Sequence, residues 1–156
     1  MWLMWLWVSG MVVFVDQATK HLAQTRLTYA EPVAVAPSFN LTLLYNKGAA
    51  FSFLNDASGW QRWFFVAVAL TAVALILYWL KRLGPGSRWT SLGLALVLGG
   101  AVGNLIDRLM LGQVIDFIQL YYGDFYWPAF NVADSAITVG AAALILQSIM
   151  HRGENR

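Results

Sequence analysis

The sequence predicts an all-α integral membrane protein with four transmembrane helices, forming one domain over residues 1–156. Of its 156 residues, 59% are hydrophobic and only 12% are charged, which is about half the charged fraction of an ordinary soluble domain. A soluble core of this size could not bury so much apolar surface. Four apolar segments, at about residues 2–19, 63–80, 89–108 and 130–150, are each long enough to cross a bilayer as a helix.

Each of the four segments has few charged residues. The first is apolar except for Asp16 and Gln17, and it lacks the basic start and the cleavage site of a signal peptide. The second carries no charge, the third carries none before Asp107, and the fourth contains only Asp134. Glycines in the third segment, such as Gly103, predict close packing against neighbouring helices.

The connections predict an orientation and a small β element. Lys and Arg follow the second segment and occur again in the C-terminal tail, and short positively charged loops stay in the cytoplasm. Both termini are therefore expected inside, with residues 20–62 and 111–129 outside. Within the first outer segment, Phe39, Leu41, Leu43 and Tyr45 recur at every second position, which predicts a strand lying on the outer membrane surface.

Four carboxylates are expected at one level of the membrane. Asp16 and Asp107 lie near the outer ends of the first and third spans, and Asp134 lies four residues into the fourth. Asp116 follows in the outer connection, inside an apolar stretch. Carboxylates at such positions are costly and usually functional. We therefore expect a site on the outer side of the membrane.

Two helix ends repeat one polar pattern. The residues are Asn104, Asp107 and Arg108 in the third span and Asn131, Asp134 and Ser135 in the fourth. Because positions i, i+3 and i+4 share a helix face, both polar stripes should face the bundle interior. The two asparagines could also simply cap or bridge helices.

The carboxylates divide into two roles. Asp107 adjoins Arg108, and a carboxylate paired with arginine is expected to be a scaffold or a substrate clamp. Asp116 and Asp134 have no cationic neighbour in sequence. Two such carboxylates close together share a proton, so one can take a proton from water while the other donates one. This pair predicts amide hydrolysis without a covalent intermediate.

Other interpretations stay open at this point. The pair Asp116 and Asp134 would equally suit a small carboxylate-coupled membrane transporter. Ser135 could act as a nucleophile with Lys20 or Lys47 as its base. Asp16 could form only a local pair with Lys20, four residues later.

Several kinds of site are not expected. The chain has no cysteine and only two histidines, at opposite ends, so neither thiol catalysis nor a His- or Cys-ligated metal is predicted. The net charge of +2 includes no basic run long enough to bind nucleic acid. No nucleic-acid partner is therefore expected.

Five ordered motifs resemble those of the lipoprotein signal peptidases, also called signal peptidase II. The first is the pair Asp16-Gln17. The others are residues 45–52 (YNKGAAFS), 99–108 (GGAVGNLIDR), 114–117 (VIDF) and 130–135 (FNVADS). Together they cover nearly the whole chain.

The resemblance implies a fold and a site. It implies four membrane helices with a small periplasmic β-cradle and a short outer-surface helix. It implies that Asp116 and Asp134 are the catalytic aspartates. The supporting residues that it implies are Asp16, Asn46, Gly48, Asn104, Asp107, Arg108 and Asn131.

The resemblance also implies an activity and a location. The expected activity is an intramembrane aspartic endopeptidase that cleaves prolipoproteins just before a diacylglyceryl-cysteine, and no metal and no organic cofactor are expected. The expected partners are lipid-modified prolipoproteins, membrane lipids and cyclic peptide inhibitors such as globomycin. The expected location is the bacterial inner membrane, with the site near the periplasmic face and the protein a monomer.

Overall fold

A computed structural model describes residues 2–48, 59–84 and 86–154, and these contain four long helices and one four-stranded sheet. The helices are α1 (Leu3–Arg26), α2 (Trp60–Arg82), α3 (Arg88–Leu111) and α4 (Val132–Glu154). The strands are β1 (Val33–Ala36), β2 (Phe39–Asn46), β3 (Val114–Tyr122) and β4 (Phe125–Tyr126). The protein is therefore mostly helical, with a small sheet formed by the connections.

Three helices in the described part of the chain are long and apolar enough to cross a membrane. They are α2, α3 and the Val132–Met150 part of α4. The second half of α1 is more polar, because it carries Asp16, Gln17 and Lys20. That α1 is a fourth span remains a prediction, and so does the orientation of the bundle.

The sheet is antiparallel, with the strand order β1-β2-β3-β4. The strand predicted from the alternation of apolar residues is confirmed as β2. Leu43 of β2 packs with Ile115 and Phe117 of β3 and with Ala23 of α1. The sheet is thereby fastened to the C-terminal end of α1, and Asp116 lies opposite Leu44 in the register between β2 and β3.

Small residues let α3 approach both α1 and α4, as the sequence predicts. A side chain at Gly100 would collide with the backbone carbonyl of Ala133 in α4. A Cβ at Gly103 would lie only 2.6 Å from Oδ2 of Asp16 in α1. The helices can therefore pack closely only if these positions lack a side chain.

All four helices extend beyond the expected spans, and the extensions of α1 and α3 affect the site. The first span was expected to end near residue 19, but α1 continues to Arg26. Lys20 therefore belongs to the helix, one turn after Asp16, and not to an outer connection. The third helix extends to Leu111 and ends at Gly112, whose φ of 75° is in the left-handed region that favours glycine. The turn at Gly112 leads directly into β3 and Asp116.

The short outer-surface helix implied by the resemblance does not occur among the described residues. Every helical residue in the described ranges belongs to α1, α2, α3 or α4. Residues 49–58 lie outside the described part of the chain, and they include residues 49–52 of the second motif.

Candidate active site

A large open cavity lies between the sheet and the adjoining ends of α3 and α4. Its volume is about 1320 Å³. The polar residues that line it include Asn46, Asn104, Arg108, Asp116, Asp134 and Ser135, and Gly48 lies beside them. Aromatic residues line another part of it, namely Tyr121, Tyr122, Phe125, Tyr126, Trp127 and Phe130. The cavity therefore combines two carboxylates with a wide apolar surface.

Asp116 lies in the middle of the buried half of β3, and its side chain receives two amide hydrogen bonds. Asn131 Nδ2 donates to Oδ1 at 2.7 Å, and Asn46 Nδ2 donates to Oδ2 at 3.2 Å. Asp116 is only 3% exposed. Burial, together with the nearby charge of Asp134, raises the pKa of its carboxyl from 3.8 to about 7, although the hydrogen bonds from Asn46 and Asn131 act in the opposite direction. Asp116 can therefore hold a proton near neutral pH.

Asp134 lies in the first turn of α4 and is bound by two donors. The backbone N–H of Asn131 donates to Oδ2 at 3.2 Å, and Asn104 Nδ2 donates to Oδ1 at 2.8 Å. Oδ1 of Asn131 in turn accepts the backbone N–H of Asp134 at 2.9 Å. This reciprocal pair is a capping box, which satisfies two of the free N–H groups at a helix start.

Asn131 is the residue that joins the two carboxylates. Its side chain is fully buried. While Oδ1 caps α4, Nδ2 donates to Asp116 and approaches Oδ1 of Asn104 at 3.2 Å and the carbonyl of Ile115 at 3.1 Å. The sequence left open whether Asn131 and Asn104 are caps or part of a site. In the structure Asn131 is both a cap and a direct neighbour of Asp116.

A buried lysine lies behind the carboxylates. Lys20 Nζ is 2.8 Å from Oδ2 of Asp16, 2.8 Å from Oδ2 of Asp107 and 3.0 Å from Oδ1 of Asn104. The ammonium has three hydrogens, and these three acceptors use all of them. The local pair of Lys20 with Asp16 was considered from the sequence. Its contacts with α3 were missed, because sequence spacing carries no signal for contacts between helices.

Each of the two carboxylates beside Lys20 also holds a backbone N–H. Asp16 Oδ1 accepts the N–H of Ala133 at 2.8 Å. Asp107 Oδ2 accepts the N–H of Ile115 at 3.1 Å, while Gln17 Nε2 donates to Asp107 Oδ1 at 2.8 Å. Ala133 immediately precedes Asp134, and Ile115 immediately precedes Asp116.

The expected pairing of Asp107 with Arg108 is wrong. Asp107 forms its ion pair with Lys20, which reaches it from α1. Arg108, the next residue along α3, points differently because consecutive residues face different sides of a helix. Its guanidinium donates to the carbonyl of Gly48 at 3.4 Å and lies over the ring of Phe65, 5.1 Å from the ring centre. Arg108 is therefore a cation at the cavity wall.

Gly48 and Asn46 belong to the same wall. The backbone N–H of Gly48 donates to Oδ1 of Asn46 at 2.9 Å, which closes a tight turn after β2. Because Oδ1 of Asn46 accepts this bond, its Nδ2 is directed at Asp116 and donates to it. The end of β2 therefore orients one donor for Asp116 and supplies the carbonyl that Arg108 binds.

Lys20 does not contact Ser135, so it does not support the alternative of a serine nucleophile with a lysine base. The hydroxyl of Ser135 donates to the carbonyl of Asn131 at 3.0 Å. Lys20 has no hydrogen left for Ser135, because Asp16, Asp107 and Asn104 take all three. The side chain of Lys47, the other candidate base, is exposed.

Comparisons with known proteins agree on one family. The family model described as Signal peptidase (SPase) II matches residues 8–150. A protein of Pseudomonas putida named lipoprotein signal peptidase is 54% identical over 146 residues, covering 92% of this chain and 85% of that protein. One of Acinetobacter baumannii with the same name is 51% identical, covering 94% of this chain and 83% of that protein.

Two solved structures share the fold. Both are described as bacterial membrane enzymes. One superposes with a TM-score of 0.86 at 27% identity, covering 98% of this chain and 92% of that one. The other has a TM-score of 0.79 at 29% identity, covering 92% of this chain and 91% of that one. With a family match over most of its length and relatives more than half identical, this bacterial membrane protein belongs to the signal peptidase II family of peptidases.

Proposed function

We propose that the protein is an aspartic endopeptidase that removes signal peptides from prolipoproteins, cleaving just before a diacylglyceryl-cysteine. The observation that carries this proposal is the arrangement of Asp116 and Asp134. Asp116 and Asp134 line the same cavity, and asparagine amides hold both carboxylates in place. The pKa of Asp116 near 7 allows the pair to carry one proton at neutral pH.

The first chemical step is the addition of water to the scissile carbonyl. The ionised carboxylate of the pair takes a proton from water, and the water oxygen attacks the carbonyl carbon. The protonated carboxyl gives its proton to the carbonyl oxygen. The product is a neutral tetrahedral diol, and the proton has moved from one aspartate to the other.

The second step breaks the peptide bond. The aspartate that took the proton from water donates it to the leaving nitrogen, and the carbon–nitrogen bond breaks. The other aspartate takes a proton from the diol, which becomes a carboxylic acid. The products are the signal peptide and a new amino terminus at the lipid-bearing cysteine, and the pair again holds one proton.

The surroundings of the pair suit a lipid-bearing peptide. The cavity is wide and lined by aromatic residues that include Tyr122 and Phe125, so it offers apolar surface for acyl chains or a signal helix. Arg108 places a cation at the wall beside the two aspartates. It can bind a substrate carbonyl or stabilise the charge of the ionised aspartate.

The location and partners follow from this assignment. We place the protein in the bacterial inner membrane with four spans, both termini cytoplasmic and the site near the periplasmic face, acting as a monomer. A lipid-anchored substrate would present its bond at that level, at the sheet-bearing end of the bundle. Globomycin-type cyclic peptides would compete with the substrate for the cavity.

A carboxylate-coupled transporter is less consistent with the same geometry. Such a protein needs its charges near the membrane midplane and a path open to both sides. Here the buried charges gather at the end of the bundle that adjoins the sheet. Nearer the N-terminal end of α3, tight packing against α4 leaves little room, with Gly93 of α3 against Gly140 of α4.

The experiment that tests the activity uses purified protein in detergent micelles. A diacylglyceryl-modified prolipoprotein and the same prolipoprotein without lipid are each incubated with it, with and without globomycin. We expect cleavage of the lipid-modified substrate alone and its inhibition by globomycin. Equal cleavage of both substrates would contradict the proposed specificity, and no cleavage of either by folded protein would contradict the activity.

A further inference from the structure

We infer that Lys20 is a positioning residue that holds both catalytic aspartates through a single buried ammonium group. The inference rests on the proposed pair of Asp116 and Asp134. Lys20 touches neither aspartate's side chain in the hydrogen-bond network; it acts through the groups that hold them. Its side chain is only 1% exposed, so the ammonium is enclosed by protein on all sides.

Two of the three contacts of Lys20 act on the backbone. Asp16, held by Lys20 at 2.8 Å, binds the N–H of Ala133, and Asp107, held at 2.8 Å, binds the N–H of Ile115. Each of these N–H groups belongs to the residue just before one of the aspartates. Through these two carboxylates, the lysine between α1 and α3 holds both the start of α4 and the start of β3.

The third contact acts on a side chain. Lys20 donates to Oδ1 of Asn104 at 3.0 Å. This bond fixes which end of the Asn104 amide faces the lysine, because an ammonium can only donate and needs the carbonyl oxygen. The amide nitrogen of Asn104 must then face Asp134, to which it donates at 2.8 Å. Lys20 thereby sets the orientation of the donor that holds Asp134.

The charge of Lys20 has a second effect, on the titration of the pair. Three charged groups interact electrostatically with Asp116 from the packed elements: Lys20 from α1, Arg108 from α3 and Asp134 from α4. The other two charged groups nearby, Asp16 of α1 and Asp107 of α3, form ion pairs with Lys20. The buried cation of Lys20 favours the ionised form of the carboxylates and so lowers the pKa of Asp116. Without it, the pair should take up its second proton at a higher pH.

The test uses four variants of the full protein, each checked for folding by thermal unfolding in detergent. Lys20→Met removes the charge and the donors. Lys20→Met/Asp107→Asn also removes one negative charge, so the cluster keeps its net charge and should fold even where the single variant does not. Asp107→Asn alone keeps the bond from Lys20 to Asn104. Lys81→Met, at the exposed far end of α2, is the matched control.

We expect kcat to fall about 100-fold in both Lys20 variants, with KM changed less than about threefold, because small misplacements of catalytic groups cost this much. In Lys20→Met the acid limb of the pH profile should move up by on the order of one unit, whereas the charge-compensated variant should stay near the parent. Asp107→Asn should retain at least about ten times the kcat of the compensated variant, because Asn104 is still oriented. Lys81→Met should match the parent.

One result would overturn the inference. If the folded, charge-compensated variant turns over within about threefold of the parent, Lys20 is only a counter-charge and does not position the pair. Asp134→Asn is assayed in parallel to separate this outcome from a failure of the proposed function. Full turnover by Asp134→Asn would contradict the proposed aspartate pair itself. If Asp134→Asn is inactive while the charge-compensated variant is active, only the proposed role of Lys20 is contradicted.

Discussion

Asn131 and Asp134 cap the start of α4 reciprocally, each accepting the backbone N–H of the other at 2.9 and 3.2 Å. Asn131 also donates to Asp116 at 2.7 Å. The capping box that starts α4 therefore also links two carboxylates on different elements. The residue that caps α4 therefore also helps to fix the position of Asp116 relative to Asp134.

Replacing Asn131 should separate its capping of α4 from its proposed role in holding Asp116. Serine can still accept the N–H of Asp134, whereas alanine cannot, and neither can donate to Asp116. We expect Asn131→Ser to be more stable than Asn131→Ala by on the order of 1 kcal/mol. Both variants should lose about 100-fold in kcat. Thermal unfolding and turnover of lipid-modified substrate measure the two effects, and an Asn131→Ser variant with parental kcat would refute the link to Asp116.

Gly103 should tolerate no side chain. A Cβ there would lie 2.6 Å from Oδ2 of Asp16, which is already held by Lys20 and cannot easily move. We expect Gly103→Ala to cost about 1–3 kcal/mol of stability, as overpacking in a core does, and to lower kcat. The matched control is Gly10→Ala in α1, where no heavy atom lies within 4 Å of the new Cβ. Equal unfolding temperatures for the two variants would contradict this packing.

The raised pKa of Asp116 predicts how its removal changes stability with pH. The folded pKa of about 7 lies above the ordinary value of 3.8, so the folded state keeps a proton that the unfolded state has lost. The stabilising contribution is complete below the unfolded pKa and is lost as pH rises through the folded pKa. Asparagine cannot ionise, so Asp116→Asn should gain stability over the parent as pH rises from about 4 to about 8.

Thermal unfolding of the parent and of Asp116→Asn at several pH values checks this sign. Any constant difference caused by the altered hydrogen bonds of residue 116 cancels in the comparison between pH values. A difference in unfolding temperature that is the same at low and high pH would mean that Asp116 has an ordinary pKa in the folded protein.

Local patterns in the sequence predicted much of this fold, because their periods reflect local geometry. The alternation from Phe39 to Tyr45 predicted β2, and the glycines around Gly103 predicted close helix packing, as observed. Strand β3 was not predicted from alternation, since its first four residues are all buried and show no alternation. Residues buried on both sides give no periodic signal.

The wrong prediction of an Asp107–Arg108 pair, and the missed contacts of Lys20, have a different cause. Arg108 adjoins Asp107 in sequence, which suggested a pair, but Lys20 reaches Asp107 from another helix. Such a contact depends on how α1 and α3 pack, and local spacing does not contain that information. The same limit hid the bonds from Asp16 and Asp107 to the N–H groups of Ala133 and Ile115.

The central claim is that Asp116 and Asp134 together activate water, and the most direct measurement is the turnover of lipid-modified prolipoprotein by Asp116→Asn and Asp134→Asn. Both variants are purified and folded, and Asp124→Asn serves as the control because Asp124 is an exposed turn residue. We expect each dyad variant to lose at least about 1,000-fold in kcat, since general acid–base groups contribute on this order, and the control to match the parent. Near-parental turnover by either dyad variant would contradict the mechanism.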